Sequence, residues 1–245
     1  HVTGEDKRIL FLVPVRFKQQ GGLAQQQGLP SAGVRLHSER HSPDSEVAEV
    51  AAPRERLRQM GHETQGGVFL AGVGELMTEV AGEVCDGFIC HGFTTEKYLR
   101  EVTIPALERG RAKAGKTMDG FEIVGPSFVV SGNDERELER ASIGTRKQIA
   151  FYGSTPAYRP VLELHGWGDL QDRLNALSKQ GQWDEMGTLI TDEVLNTFAV
   201  VGEPERIAPE LTRRYGDVIQ RISFYAPYKS DPERWSKVMA DLQSA

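Results

Sequence analysis

The chain has 245 residues, 39% hydrophobic and 26% charged, with a formal net charge of −6 at pH 7. This is the balance of an ordinary soluble globular protein, and its acidity offers no electrostatic footprint for nucleic acid. The longest apolar run, at 9–15, is too short to cross a bilayer and carries no signal-type cleavage pattern, and the two cysteines, Cys85 and Cys90, cannot build a disulfide framework, so a cytoplasmic location is expected.

Residues 1–67 read as an atypical leading segment with little regular structure. Only 9–15 resembles a strand, with Pro14 inside it, and it is a candidate to add to an exposed sheet edge. The stretch 18–33 is rich in Gln, Gly and Ser, and 35–67 is mostly polar with one weak helix near 45–60 interrupted by Pro53.

From residue 68 a strand-helix rhythm begins. Residues 68–71 form a short apolar strand ending at Gly72, and the following helix carries Met77, Val80, Ala81 and Val84 at helical spacing. Its opposite stripe, Glu75, Glu79 and Glu83, is self-repelling and is predicted to face water. Residues 87–90 give the next strand. Thr94 or Thr95 then caps a helix bearing Tyr98, Leu99, Val102 and Ala106, which Pro105 should break or restart near Thr103. Residues 121–132 are a third strand, with Gly125-Pro126 marking a bend or bulge. Asp134 and Glu137 have capping-box spacing for a helix carrying Leu138, Ala141, Thr145 and Ile149. An excursion with two predicted helices spans 152–198, and 199–202 adds an extended piece. Pro204 and Gly216 bracket one more helix, 218–227 is the fourth strong strand, and Asp231-Pro232 opens the last helix. Trp183 and Trp235 read as core anchors. Strands alternating with helices imply a parallel sheet with covered faces, an α/β fold.

The turn Gly72-Val73-Gly74 raises the question of a ligand. A dinucleotide fingerprint needs a third glycine three residues on, where this chain has Met77, and an acidic residue after the second strand, whereas Asp86 precedes its strand. A helix start behind glycines still suits an anion, and barrel folds hold phosphate in their late βα loops. Glu75 opposes an anion unless it turns away, and a plain tight turn remains open.

The stretch VFLAGVGELMTEVAGEVCDGFICHGFTTEKYLREVTIPALERG (68–110) resembles the luciferase-like monooxygenase superfamily, in its F420-dependent oxidoreductase branch. The resemblance continues through RKQIAFYGSTPAYRPVLELHGWGDL, LSKQGQWDEMGTLI, FAVVGEPERIAPEL and RISFYAPY, and covers 68–245. It implies a TIM-barrel-like fold, here an incomplete barrel of the C-terminal four βα units with an insertion at about 152–198. The family's first four units should precede residue 68, where 1–67 offers none of them. The resemblance further implies coenzyme F420, with FMN as the alternative, held by its phosphate at Gly72, Val73 and Gly74. The implied activity is hydride transfer between F420 and a small organic substrate. An FMN-dependent monooxygenase and a non-catalytic remnant acting through protein interaction are the alternatives, and a homo-oligomer is expected.

Individual residues carry two readings each. His91 closes a strand at the end where barrels gather catalytic groups, and could donate to the cofactor or shuttle a proton, or be an ordinary loop histidine. Arg159 could bind an anionic substrate or the cofactor tail, or form a surface ion pair. A groove shared by Lys97, Arg100 and Arg159 would favour the acidic tail of F420. Cys85, Cys90 and His91 cannot converge on a metal, because strand side chains alternate faces, so no metal is expected. Glu122 and Ser127 flank the bend of the third strand and read as packing residues, although Ser127 could reach the mouth. Tyr152, Tyr158, His165 and Trp167 belong to the excursion, and Tyr225 and Tyr228 end the last strand where they could line the mouth. No Ser-His-Asp set, P-loop or zinc spacing occurs.

Overall fold

The structure, a computed structural model, describes residues 67–244 and the backbone of one strand, β1 (Leu10–Arg16). The expectations for 16–66, including the weak helix near 45–60, fall outside the described residues apart from Arg16.

The rhythm after residue 67 folds as strand and helix in turn: β2 (Phe69–Ala71), α1 (Glu75–Val84), β3 (Gly87–Ile89), α2 (Ile104–Lys113), β4 (Glu122–Ser131) and α3 (Glu135–Gly153). The excursion holds four helices, α4 (Arg159–Glu163), α5 (Gly168–Lys179), α6 (Trp183–Thr188) and α7 (Asp192–Phe198), where the sequence pattern suggested two. β5 (Ala199–Gly202), α8 (Pro204–Tyr215), β6 (Arg221–Tyr225) and α9 (Pro232–Ser244) complete the chain.

Among the described residues six strands form one sheet in the order β1-β6-β4-β3-β2, with β5 on the far end of β4. β4 is the hub, pairing in parallel with β3 at Glu122–Val124, with β6 at Val124–Phe128 and with β5 at Phe128–Ser131. β1 is antiparallel to β6, with Leu10 opposite Tyr225 and Arg16 opposite Arg221. The strand Leu10–Arg16 therefore sits on an edge, and its direction is not that of a parallel barrel unit. The expected bulge at Gly125-Pro126 is absent: Val124 to Phe128 pair one-for-one with Arg221 to Tyr225. The described strands make an open α/β sheet, part of a barrel.

Local chemistry explains the helix boundaries. Thr95 accepts a hydrogen bond from the Tyr98 N–H at 3.1 Å and so caps Glu96–Tyr98. Pro105 lacks an N–H and its ring clashes with the carbonyl four residues back, and the chain absorbs this in a π-helical turn, Leu99–Thr103, before α2 resumes. Asp134 caps α3 by accepting from the Glu137 N–H at 2.8 Å. Glu137 reaches back to the Asn133 N–H at 2.9 Å instead of the Asp134 N–H, so the box is offset by one residue.

The glutamate stripe of α1 is exposed at Glu75 and half-buried at Glu79 and Glu83, and α2 brings cations to the first two. Arg109 of α2 pairs with Glu75 and Glu79, and Lys113 adds a second cation at Glu79 at 2.5 Å. These neighbours hold the Glu79 carboxyl below its ordinary range. One core cluster joins α1, α2, α8 and α9 to the sheet through Leu70, Phe88, Leu107, Leu211 and Trp235. A second lies under the excursion, around Phe93, Phe128, Ile149, Leu162, Met186 and Phe198. Trp235 is 1% exposed, whereas Trp183 is 51% exposed and is no core anchor.

Candidate functional site

All of the parallel strands end on the same side, and the candidate site is built there. β2 runs into Gly72, Val73 and Gly74, and α1 starts at Glu75 with no side-chain cap. Gly74 has φ 87° and ψ 158°, a conformation open essentially to glycine alone, and nothing lies within 4 Å of where its Cβ would stand. Thr78 secures the turn from below. Its hydroxyl donates to the Gly74 carbonyl at 2.8 Å, and its N–H reaches the same oxygen at 3.2 Å. The first amides of α1 are left without a capping side chain beside two glycines, the arrangement that accepts an anion. Glu75, the feature that argued against an anion, is turned aside into its ion pair with Arg109.

One cleft of about 30 Å³ joins this turn to His91, lined also by Phe93, Thr94, Tyr98 and Tyr158. His91 follows β3, and its ring is held at both nitrogens. The Phe93 backbone N–H donates to Nδ1 at 3.0 Å, which puts the proton of the neutral ring on Nε2. Nε2–H then donates to the Tyr158 hydroxyl at 3.1 Å, leaving that hydroxyl's own proton free for a further acceptor. The Tyr158 ring stacks on His91 with centroids 4.7 Å apart, and Tyr152 meets its edge at 4.8 Å. Burial in this aromatic setting pushes the His91 pKa down to about 4, so the ring is neutral at pH 7. Burial likewise raises Tyr158, and drives the Cys90 thiol up to about 12, which leaves it a small hydrophobe rather than a nucleophile.

The predicted residues thus divide. Gly72, Val73, Gly74 and His91 share one cleft. Arg159 does not line it: its guanidinium is held by Glu163 at 2.6 Å, Asp172 at 2.7 Å and Gln171 at 2.9 Å, a surface ion pair. Lys97 and Arg100 line a separate groove with Arg213 and Arg214, without Arg159. His165 shares a 2.9 Å hydrogen bond with Thr95 and stacks on Trp167, away from the cleft. Tyr225 reaches Tyr152 at 3.3 Å between hydroxyls, while Tyr228 is spent on the β4 backbone, donating to the Val129 carbonyl at 2.9 Å. Ser127 is buried and Glu122 pairs with Arg221, both structural. Among the described residues no group of three or more His, Cys, Asp or Glu gathers as a metal site, and no helix is long and apolar enough to cross a membrane. Thr78 and the Phe93 amide were missed in the sequence; only the four-residue step from Gly74 to Thr78 hinted at the first.

The sequence profile described as luciferase-like monooxygenase matches residues 33–221. It begins 35 residues before position 68, where the motifs first became readable, so part of the leading segment carries family signal. An uncharacterised protein of Mycobacterium tuberculosis is 53% identical over 155 residues, 63% of this chain and 46% of the relative. The 5,10-methylenetetrahydromethanopterin reductase of Archaeoglobus fulgidus is 28% identical over 163 residues, 64% of this chain and 43% of the relative. Among solved structures, the coenzyme F420-dependent tetrahydromethanopterin reductase of Methanopyrus kandleri superposes with a TM-score of 0.57 at 16% identity, covering 72% of this chain and 49% of that one. An F420-dependent secondary alcohol dehydrogenase in complex with an F420-acetone adduct gives 0.53 at 15% identity, with coverages of 74% and 50%. The chain spans about half the length of the relatives it matches.

Proposed function

Because the chain belongs to the luciferase-like monooxygenase family, we propose that it is an F420-dependent oxidoreductase, acting on a small uncharged organic substrate. The single observation that carries the reading is the cleft itself. An uncapped helix start behind Gly72-Val73-Gly74 opens into the same space as a neutral, doubly held His91. The turn fits a phosphate by its free amides, by the clear space over Gly74 and by the withdrawal of Glu75 to Arg109. A deazaflavin held there by the amides at the start of α1 would give or accept the hydride.

The chain's own residues do the rest. The amides at the start of α1 orient the cofactor through its phosphate, and His91 holds the Tyr158 hydroxyl so that its proton points at a further acceptor. Phe93, Tyr152 and Tyr158 keep the surroundings of His91 apolar, which favours a substrate without charge. The turn Pro156–Tyr158 forms one wall of the cleft, with Ala157 and Tyr158 lining it. Because the chain spans about half the length of its relatives, the second reading is a non-catalytic module that grips a phosphate at this turn without turnover. FMN is the alternative cofactor, and a homo-oligomer in a cytoplasmic setting belongs to the same proposal.

Titrating the protein with F420, and separately with FMN, while following fluorescence quenching tests the reading. Saturable F420 binding supports it, and no binding of either at tens of micromolar sinks it. Gly74→Ala is expected to weaken binding about tenfold or more, since alanine at this φ is strained by roughly 1–3 kcal/mol and the turn must shift to relieve it. Binding without turnover of any alcohol or carbonyl compound selects the second reading.

A further inference from the structure

Away from the cleft, a cavity of about 700 Å³ lies where the ends of β4 and the segment after β6 lead into α3 and α9. We propose that it is a second binding site, for a phosphate group carried on a small soluble molecule. The reasoning is independent of the cofactor reading.

The charge around the cavity is what a phosphate needs. Arg140, Lys229 and Arg234 line it, against Glu137 and Asp231. Glu137 is offset by Arg234 and also accepts from the Asn133 N–H, whereas Asp231, exposed, accepts only from the Glu233 N–H at 3.0 Å. Arg140 and Lys229, in contrast, are exposed and make no hydrogen bond or ion pair with any described residue. The basic groove at Lys97 differs in this respect. There Arg100 is held by Asp217, Arg213 and Arg214 by Glu210, and Lys97 by the Leu164 carbonyl, so its cations are committed.

Buried donors at the cavity wall point the same way. Ser131, fully buried at the end of β4, has a hydroxyl without a partner, and Arg234, with a side chain 4% exposed, has an unpartnered Nε. A buried donor left unmade is costly, and such orphans are rare enough to call for an acceptor. Ser230, half-buried, also lines the cavity, its oxygen accepting from Trp235 Nε1 at 2.7 Å and its own O–H remaining a donor. Arginine and hydroxyl donors around one cavity match the several acceptor oxygens of a phosphate.

The test is an amide NMR titration of the full chain with inorganic phosphate and with glycerol phosphate. The expected result is saturable shifts at 131–141 and 228–235 in the millimolar range, with the monoester binding at least as tightly. Arg140→Ala combined with Lys229→Ala should weaken binding about tenfold and leave the melting temperature without phosphate unchanged, because neither side chain holds the fold. Shifts confined to 72–78 would place the anion at the α1 turn and overturn the second site without touching the cofactor reading. No saturation at tens of millimolar, an affinity unmoved by the double variant, or exclusion of the monoester would each overturn it too.

Discussion

Replacing Gly110 by alanine should destabilise the protein by about 2–3 kcal/mol, although alanine is the better helix former by about 1 kcal/mol. The inversion of sign comes from the crossing of α1 and α2. A Cβ on Gly110 would stand 1.9 Å from the Glu79 carbonyl oxygen and 2.8 Å from the Glu83 nitrogen. From the other side, a Cβ on Gly82 would stand 2.3 Å from the Leu107 carbonyl oxygen. These neighbours are backbone atoms, which cannot rotate away, so the helices must part. Parting them loosens Ala81, Ala106 and Leu107, each fully buried, and disturbs the pairing of Arg109 and Lys113 with Glu79. For a chain of this size the melting temperature should fall by about 4–12 °C. Gly115→Ala is the matched control. Its φ of +64° makes it unfavourable by strain alone, with nothing within 4 Å to collide with. A Gly110 variant no less stable than wild type would show that the two helices do not touch backbone to backbone.

That crossing also marks where reading a sequence reaches its limit. The helix at 75–84 and the strands before and after it were legible because Met77, Val80, Ala81 and Val84 repeat at the helical period while short apolar runs end in glycine. Periodicity reports one element at a time. It cannot tell that Gly82 and Gly110, which look like weak points of two separate helices, meet each other in space. The glutamate stripe misled for the same reason: its partners, Arg109 and Lys113, lie about thirty residues away on α2. Trp183 was assigned to the core on helical spacing, yet it lies tilted against Phe151, centroids 6.1 Å apart, with both rings half exposed. Gly125-Pro126 suggested a bend or a bulge; the bulge is excluded, because the strand stays in register through Pro126, opposite Ser223. At the site, the turn and His91 were readable as types in order along the chain. The tautomer of His91 was not, since it depends on a backbone amide and on a tyrosine 67 residues later. Arg159 shows the opposite error, a cation that invited a ligand and found Glu163 and Asp172.

The buried, neutral His91 should make the fold sensitive to mild acid. In the folded protein its pKa is about 4, below the ordinary value of 6.5. Above pH 6.5 the ring is neutral in both states and contributes nothing to the pH dependence. As the pH falls below 6.5 the unfolded chain takes up a proton that the folded chain refuses, so stability declines by up to about 1.4 kcal/mol per pH unit. The loss should reach about 1.5–2 kcal/mol by pH 5 and level off below about pH 4, where the folded ring is protonated as well. Carboxylates do not confuse this window. Glu210, held down to about 2 by Arg213 and Arg214, keeps its contribution above its unfolded value of 4.5 and loses it only at lower pH. His165 is lowered too, chiefly by burial, and acts in the same direction. The measurement is therefore a difference: urea unfolding at pH 7.5 and pH 5, on wild type and on His91→Gln. The variant should lose about 1–2 kcal/mol less than wild type between the two pH values. Equal losses would mean that His91 is protonated in the folded protein at pH 5. The Nε2–H to Tyr158 bond would survive that protonation, but the Phe93 N–H would then face a protonated Nδ1 and the turn after β3 would have to open.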